Sequence, residues 1–323
     1  MNFRGLRTLR RAAHWSRSRL GPRALVLVYH RVADSDWDPF SLCVSPRNFG
    51  QQLDVLRDIA VPATLMDIVS ALREGRPPKR CVAVTFDDGY ADNLHQALPL
   101  LTQADISATV FATTGAAGKA FWWDELARRT AAAASIPNDM RIDFGEHRFV
   151  WRHTHSLSVS DRRDLVRSLA RFMRILPWAQ QHETLRRLDG WLRDTDIGVD
   201  QARSMTYNEL RTIAESEHIE IGGHTVSHPL LERMPESEQR AEITENVATL
   251  KSVTGRAVRS FAYPNGSYAS TTPALVRSLG LSCACGMIES PVTRSSDPFE
   301  IPRLAAPNIG GKPFRRWLRL WLG

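Results

Sequence analysis

Val84-Thr85-Phe86-Asp87-Asp88-Gly89-Tyr90 is a strand-like apolar run that stops at two adjacent acids and a glycine. In barrels of alternating strands and helices, the side chains that do chemistry collect where strands end. Two neighbouring carboxylates can divide the work there, one binding a cation while the other accepts a proton. Gly89 lets the backbone turn tightly beside a bound molecule. Taken alone, Asp-Asp-Gly is also an ordinary strand-to-turn ending, so its meaning depends on the rest of the chain.

Outward from this run, short apolar stretches recur at 24–30, 107–113, 219–224, 260–263, 281–285 and 300–304. Amphipathic helical patterns fall between them, at 47–59, 92–105, 207–217, 236–254 and 272–279. The pattern at 207 opens with Thr206-x-x-Glu209, a capping box in which each side chain satisfies an orphan backbone N–H. Strand, helix, strand in repetition predicts an α/β fold with a parallel sheet, open or closed into a barrel. Residues 121–204 break the rhythm with Phe121-Trp122-Trp123-Asp124-Glu125, a hairpin pattern around 143–152 and two charged helices. They read as an insertion in a domain spanning 24–311.

A second cluster follows the stretch at 219: Ile219-Glu-Ile-Gly-Gly-His224-Thr-Val-Ser-His228-Pro229. Two imidazoles four apart in a helical turn point the same way and can grip one divalent ion. A carboxylate from the first motif would complete a His-His-carboxylate set with positions open to water and substrate. Two histidines near a strand end are more often structural; the conjunction with Asp87-Asp88 gives them weight.

Charge and cysteine content narrow the class. The formal net charge is +7, yet residues 1–25 hold seven arginines and residues 312–323 hold Lys312, Arg315, Arg316 and Arg319. Removing those eleven charges from +7 leaves the body at −4, which argues against a nucleic-acid-binding face. Cys283 and Cys285 are spaced C-x-C, neither a redox pair nor a zinc knuckle; Cys81 and Cys283, in apolar strand-like runs, read as buried structural thiols. No apolar run approaches the ~20 residues of a membrane span. The run at 24–28 is too short for a signal-peptide core, so a cytoplasmic location is expected. From Phe314 to Leu322 large apolar residues fall at i, i+3, i+4, i+7 and i+8 against an arginine face. That pattern fits either a helix lying on an anionic membrane surface, together with the basic segment 1–23, or a terminal helix packed on the domain.

Thr85-Phe86-Asp87-Asp88-Gly89 followed by His224-Thr-x-x-His228 resembles the polysaccharide deacetylase family, the NodB-homology carbohydrate esterases. Arg259-Ser-Phe261-Ala-Tyr263-Pro264-Asn265-Gly266 and the early Leu27-Val-Tyr29-His30-Arg31-Val32 extend the resemblance, the latter towards exopolysaccharide- and surface-glycan-modifying members. The likeness runs from about residue 25 to 304 and implies a distorted (β/α) barrel of about seven parallel strands. It implies one divalent metal held by Asp88, His224 and His228, with Asp87 as general base. Zinc is the first choice, with cobalt, nickel, manganese or iron accepted by the same donors. The expected reaction is hydrolysis of the acetamido group of an N-acetylated sugar or glycan, lipid-linked precursors included, at the inner face of the cytoplasmic membrane. The Tyr90 N–H is the expected oxyanion donor, and Tyr263, Pro264 and Asn265 are expected beside the substrate.

Two departures from the family pattern stand out. Ala262 occupies the place of an arginine that orients the base, and no histidine follows His228 to serve as the late general acid. His30 is the candidate acid, at the end of the first strand; Arg303 is the candidate for the missing positive charge near Asp87. The same departures motivate an alternative, a non-catalytic member that binds glycan or anchors an assembly at a membrane. A deformylase or another deacylase of the same fold is the nearer alternative.

Overall fold

Leu25-Val-Leu-Val-Tyr29 is apolar at every position, and all five side chains are buried. A strand covered on both faces has to be apolar throughout, which is the signature of a parallel sheet wrapped in helices. The computed structural model describes residues 23–76, 79–154, 158–191 and 202–322. The basic segment expected at 1–23 lies, apart from Arg23, outside the described residues.

Seven parallel strands make the central sheet: β1 (Leu25–Tyr29), β2 (Cys81–Phe86), β3 (Ala108–Ala112), β4 (Ile219–Gly223), β5 (Ser260–Ala262), β6 (Cys283–Cys285) and β7 (Leu304–Ala305). Their spatial order is β6-β5-β4-β3-β2-β1-β7, and a short strand at Val61–Pro62 joins the start of β2. Ile301 bridges Cys285 in β6, while Leu304 and Ala305 pair with Leu27 and Val28 of β1. The strip 301–305 thus touches both edges of the curled sheet. This is the distorted α/β barrel that the sequence predicts.

Helices α1 (Pro46–Ile59), α2 (Leu65–Arg73), α3 (Leu98–Ala104), α4 (Trp122–Ala132), α5 (Val159–Met173), α6 (Trp178–Trp191), α7 (Tyr207–Glu215), α8 (Glu236–Thr254), α9 (Thr272–Ser278) and α10 (Gly311–Leu322) complete the framework. Alternation along β1 divides the core in two. Leu25, Leu27 and Tyr29 pack outward under the helices, whereas Ala24 and Val26 point inward with Ala83, Phe111, Ala262, Cys283 and Cys285. Both C-x-C cysteines are therefore core thiols, free and fully buried, whereas Cys81, at the start of β2, is only half-buried. The insertion pairs Asp139–Phe144 with His147–Arg152 as an antiparallel hairpin and builds its own core around Leu126, Ile142, Phe149, Leu165 and Leu169. At the start of α7, Thr206 and Glu209 form the predicted capping box.

The C-terminal helix settles on the domain. Phe314, Leu318 and Leu322 are buried in the outer core, Trp317 and Trp321 pack against them, and Arg315 pairs with Asp58 of α1. The apolar stripe of 312–323 is thereby accounted for by packing, leaving Leu320, 81% exposed, among the outward arginines. Among the described residues no helix is long and apolar enough to cross a membrane.

Because Phe314 is fully buried against α1, Phe314→Ala is expected to destabilise the fold by about 3–5 kcal/mol. Urea unfolding measures this directly. A loss below about 1 kcal/mol would mean that α10 is not part of the cooperative core.

Candidate active site

His30, Asp87 and His224 each follow the last residue of a barrel strand, so β1, β2 and β4 deliver them to one rim. Adjacent strands in register explain the convergence: Tyr29 pairs with Phe86, and Ala112 pairs with Gly223. Past β2 the chain turns sharply, with Asp88 at φ 70° and Gly89 at φ 77°. A Cβ on Gly89 would sit 2.9 Å from that of Ala112, so glycine is required for close approach as well as for conformation.

The two acids go different ways. Asp87 is buried and receives both ends of the Arg303 guanidinium, Nη1 at 2.6 Å to Oδ1 and Nη2 at 2.7 Å to Oδ2. Arg303, with 0% exposure, also donates from Nε to the Gly286 carbonyl at 3.0 Å. Burial alone would push the Asp87 carboxyl up; the Arg303 charge, then His224, outweighs it and holds the group below the usual range. A bidentate pair uses one lone-pair direction on each oxygen and leaves the others open.

Asp88 turns instead to the histidines. Its Oδ1 lies 3.4 Å from Nε2 of His224 and 3.3 Å from Nε2 of His228. Both distances exceed the 2.7–2.9 Å of a charge-assisted hydrogen bond, and Oδ1 is buried with no hydrogen-bond partner. One donor atom from each of the three residues can be chosen within 4.8 Å of the others. Nδ1 of His224 is 2.8 Å from the Ala262 carbonyl. A proton on Nδ1 for that bond leaves the Nε2 lone pair facing Asp88, the arrangement that orients a metal-binding imidazole. Three converging donor residues, Asp88 and His224 buried and His228 half-buried, fit a divalent cation.

The histidine spacing is realised differently from expectation. Residues 224–228 form no helical turn; Thr225 and His228 have φ of 62° and 57°. Glu242 and Asn246, one turn apart on α8, mould the loop. Glu242 Oε2 accepts from the backbone N–H of Val226 (2.8 Å) and Ser227 (2.9 Å), and Asn246 Oδ1 accepts from that of His224 (3.0 Å). Asn246 Nδ2 donates to the carbonyls of Ala112 and Thr225, tying two strand ends together. A Cβ at Gly223 would meet Asn246 Oδ1 at 2.8 Å, so this bridge needs the glycine. Sequence reading passed over both residues. For Asn246 the signal was the helical stripe Gln239, Ile243, Asn246 and Leu250, which carries amides where apolar residues would suffice; Glu242 lies off that stripe.

The remaining candidates are distributed around the rim. His30 is half-buried; its charge adds to the lowering of both acids, and its carbonyl accepts from Asn93. The Tyr90 side chain is withdrawn from the rim, its hydroxyl donating to Asp124 Oδ2 at 2.9 Å and accepting from Trp123 Nε1 at 2.8 Å. Burial pushes the Asp124 carboxyl up to about 7, against the hydrogen bond from Tyr90 and the charge of Arg31. Tyr263 does not present its side chain as expected: it is fully buried with Phe261, and its hydroxyl donates to the Phe299 carbonyl. Pro264 is buried, whereas Asn265 is exposed at φ 55° and meets Arg174 of the insertion.

The polysaccharide deacetylase family profile matches residues 74–284, about two thirds of the chain. The chain belongs to the polysaccharide deacetylase family. The polysaccharide deacetylases of that family are hydrolases acting on carbon–nitrogen bonds. YxkH of Bacillus subtilis (strain 168), provisionally named a polysaccharide deacetylase, is 28% identical over 99 residues, 30% of this chain and about a third (34%) of that protein. IcaB from Ammonifex degensii superposes with a TM-score of 0.60 at 20% identity, covering 94% of this chain and 98% of IcaB. The Streptococcus pyogenes deacetylase PplD, solved with acetate, gives 0.59 at 17% identity over 94% of this chain and 100% of its own. At these identities the two structures show a shared fold.

Arg303→Met would strand the buried Asp87 charge and is expected to cost about 3–5 kcal/mol in denaturant unfolding. Adding Asp87→Asn should restore part of that loss, because the two effects are coupled. Additive losses would mean that the pair contributes nothing jointly.

Proposed function

We propose that the chain is a metal-dependent N-deacetylase acting on the acetamido group of an N-acetylated sugar in a glycan or glycan precursor. The carrying observation is Asp88 Oδ1, buried, without a hydrogen bond and facing two imidazole nitrogens, beside an Asp87 clamped by Arg303. Asp88, His224 and His228 would hold the ion, with zinc favoured by two nitrogens and one carboxylate in a buried set. When bound, a divalent ion there supplies Lewis acidity towards the acyl oxygen and a lower pKa for water.

The protein's own groups carry the rest. Asp87, ionised because Arg303 neutralises it, takes a proton from the attacking water. Arg303 fixes the plane of that carboxylate, filling the role for which the Ala262 methyl has no hydrogen-bond donor. The Tyr90 N–H, at the sharp turn after Asp88, is the candidate partner of the developing oxyanion. His30 sits at the same rim as the candidate donor of the proton that the departing amine requires. The net change adds one water across the C–N bond and gives acetate and a free amine. The acetate in the PplD structure is the product this reaction class releases.

Acetate release from chitooligosaccharides and other N-acetylhexosamine oligomers, before and after metal removal by a chelator, tests this reading. Chelation and His224→Ala should both abolish release, and Asp87→Ala should reduce turnover about 10²–10⁴-fold while metal remains bound. Metal binding without release from any N-acetyl or N-formyl sugar would favour a glycan-binding role. Full turnover in Asp87→Ala would remove the base assignment.

A further inference from the structure

The two histidines of the site are held by different physics. His224 has the Ala262 carbonyl behind its ring, whereas among the described residues no hydrogen bond holds Nδ1 of His228. What lies on His228 is the indole of Trp123, with ring centroids 4.8 Å apart and planes at 52°. The indole is itself fixed. Phe121 stacks flat on it at 4.5 Å, Trp122 meets it edge-on at 5.3 Å, and its N–H donates to the Tyr90 hydroxyl. That hydroxyl donates onward to the half-buried Asp124 carboxyl group, and the Arg31 guanidinium lies 5.3 Å above the Tyr90 ring.

We propose that Trp123, Tyr90 and Asp124 are positioning residues for His228, an indole face held in register by a phenol and a carboxylate. The proposal rests on the reading that Asp88, His224 and His228 hold a divalent ion. His228 needs such support because its backbone lies in the left-handed region, at φ 57°, on a loop. Its ring angle is therefore not fixed by regular structure. Trp123 and Asp124 belong to the first turn of α4, so the insertion supplies part of the metal centre's support. Aromatic contact constrains the imidazole without accepting a proton from it, so His224 and His228 are unequal ligands. The first is oriented and made more basic by a hydrogen bond; the second is oriented by packing alone.

The test is metal affinity of the full-length protein, stripped with chelator and titrated with Co(II) and Zn(II), together with the visible spectrum of the Co(II) form. Tyr90→Phe and Asp124→Asn should each weaken Co(II) binding about tenfold and alter its ligand-field bands, with circular dichroism confirming a folded chain. Trp123→Phe keeps a ring against His228 but lacks the N–H. In that background Tyr90→Phe should have no further effect on affinity, since its action runs through the indole. Wild-type affinity and spectrum in Tyr90→Phe and Asp124→Asn would overturn the proposal, as would an undiminished Tyr90→Phe effect in the Trp123→Phe background. His224→Ala separates the two readings. If wild type binds Co(II) and His224→Ala does not, only the positioning idea is at stake. If wild type binds no metal, the underlying reading falls and the positioning proposal with it.

Discussion

A guanidinium and a carboxylate buried together below a barrel rim set the terms for the rest of this site. Either charge alone would cost several kcal/mol in that environment. Arg303 is fully buried and Asp87 nearly so, and their double hydrogen bond keeps both ionised. The pair also has an architectural effect. Arg303 belongs to the strip that bridges β6 and pairs with β1, while Asp87 ends β2. Holding the acid in its charged, aimed state and joining the sheet's edges are thus one arrangement.

Around that pair the backbone departs repeatedly from the conformations that side chains prefer. Asp88, Thr225, His228 and Asn265 all have positive φ near the rim, each costing on the order of 1–3 kcal/mol. Such geometry persists only where surrounding contacts over-determine it. Here α8 supplies two of them, Glu242 and Asn246, whose hydrogen bonds reach the backbone of residues 224–227 and the ends of β3 and β4. Strain at the rim is therefore balanced by an otherwise ordinary helix outside the sheet.

The barrel was legible in the sequence because its strands are buried on both faces. Predominantly apolar runs such as Leu25–Tyr29 and Cys81–Phe86 end where polar residues begin, and those ends are the rim. The helix Leu65–Arg73 is absent from the predicted helices, although Thr64 and Asp67 form a capping box at its start. His224 and His228 were identifiable by type, but their spacing of four suggested a helical turn. The true loop is dictated by Asn246, 22 residues downstream, a contact that no local pattern contains. Tyr263, expected beside the substrate from the resemblance, is instead a core side chain. It shares the outward face of Phe261, while Ala262 between them points inward. The stripe in 312–323 was read correctly as amphipathic, yet periodicity says nothing about what covers the apolar face.

The position of Arg303 bears on how the protein is made. A chain emerging from its N-terminus presents Asp87, Asp88, His224 and His228 well before the residue that neutralises Asp87. β1 likewise waits for β7, and α1 waits for α10. Closure of the sheet and neutralisation of Asp87 therefore both wait for the strip 301–305. A product terminated before residue 303 would keep both signature motifs while lacking the counter-charge to Asp87.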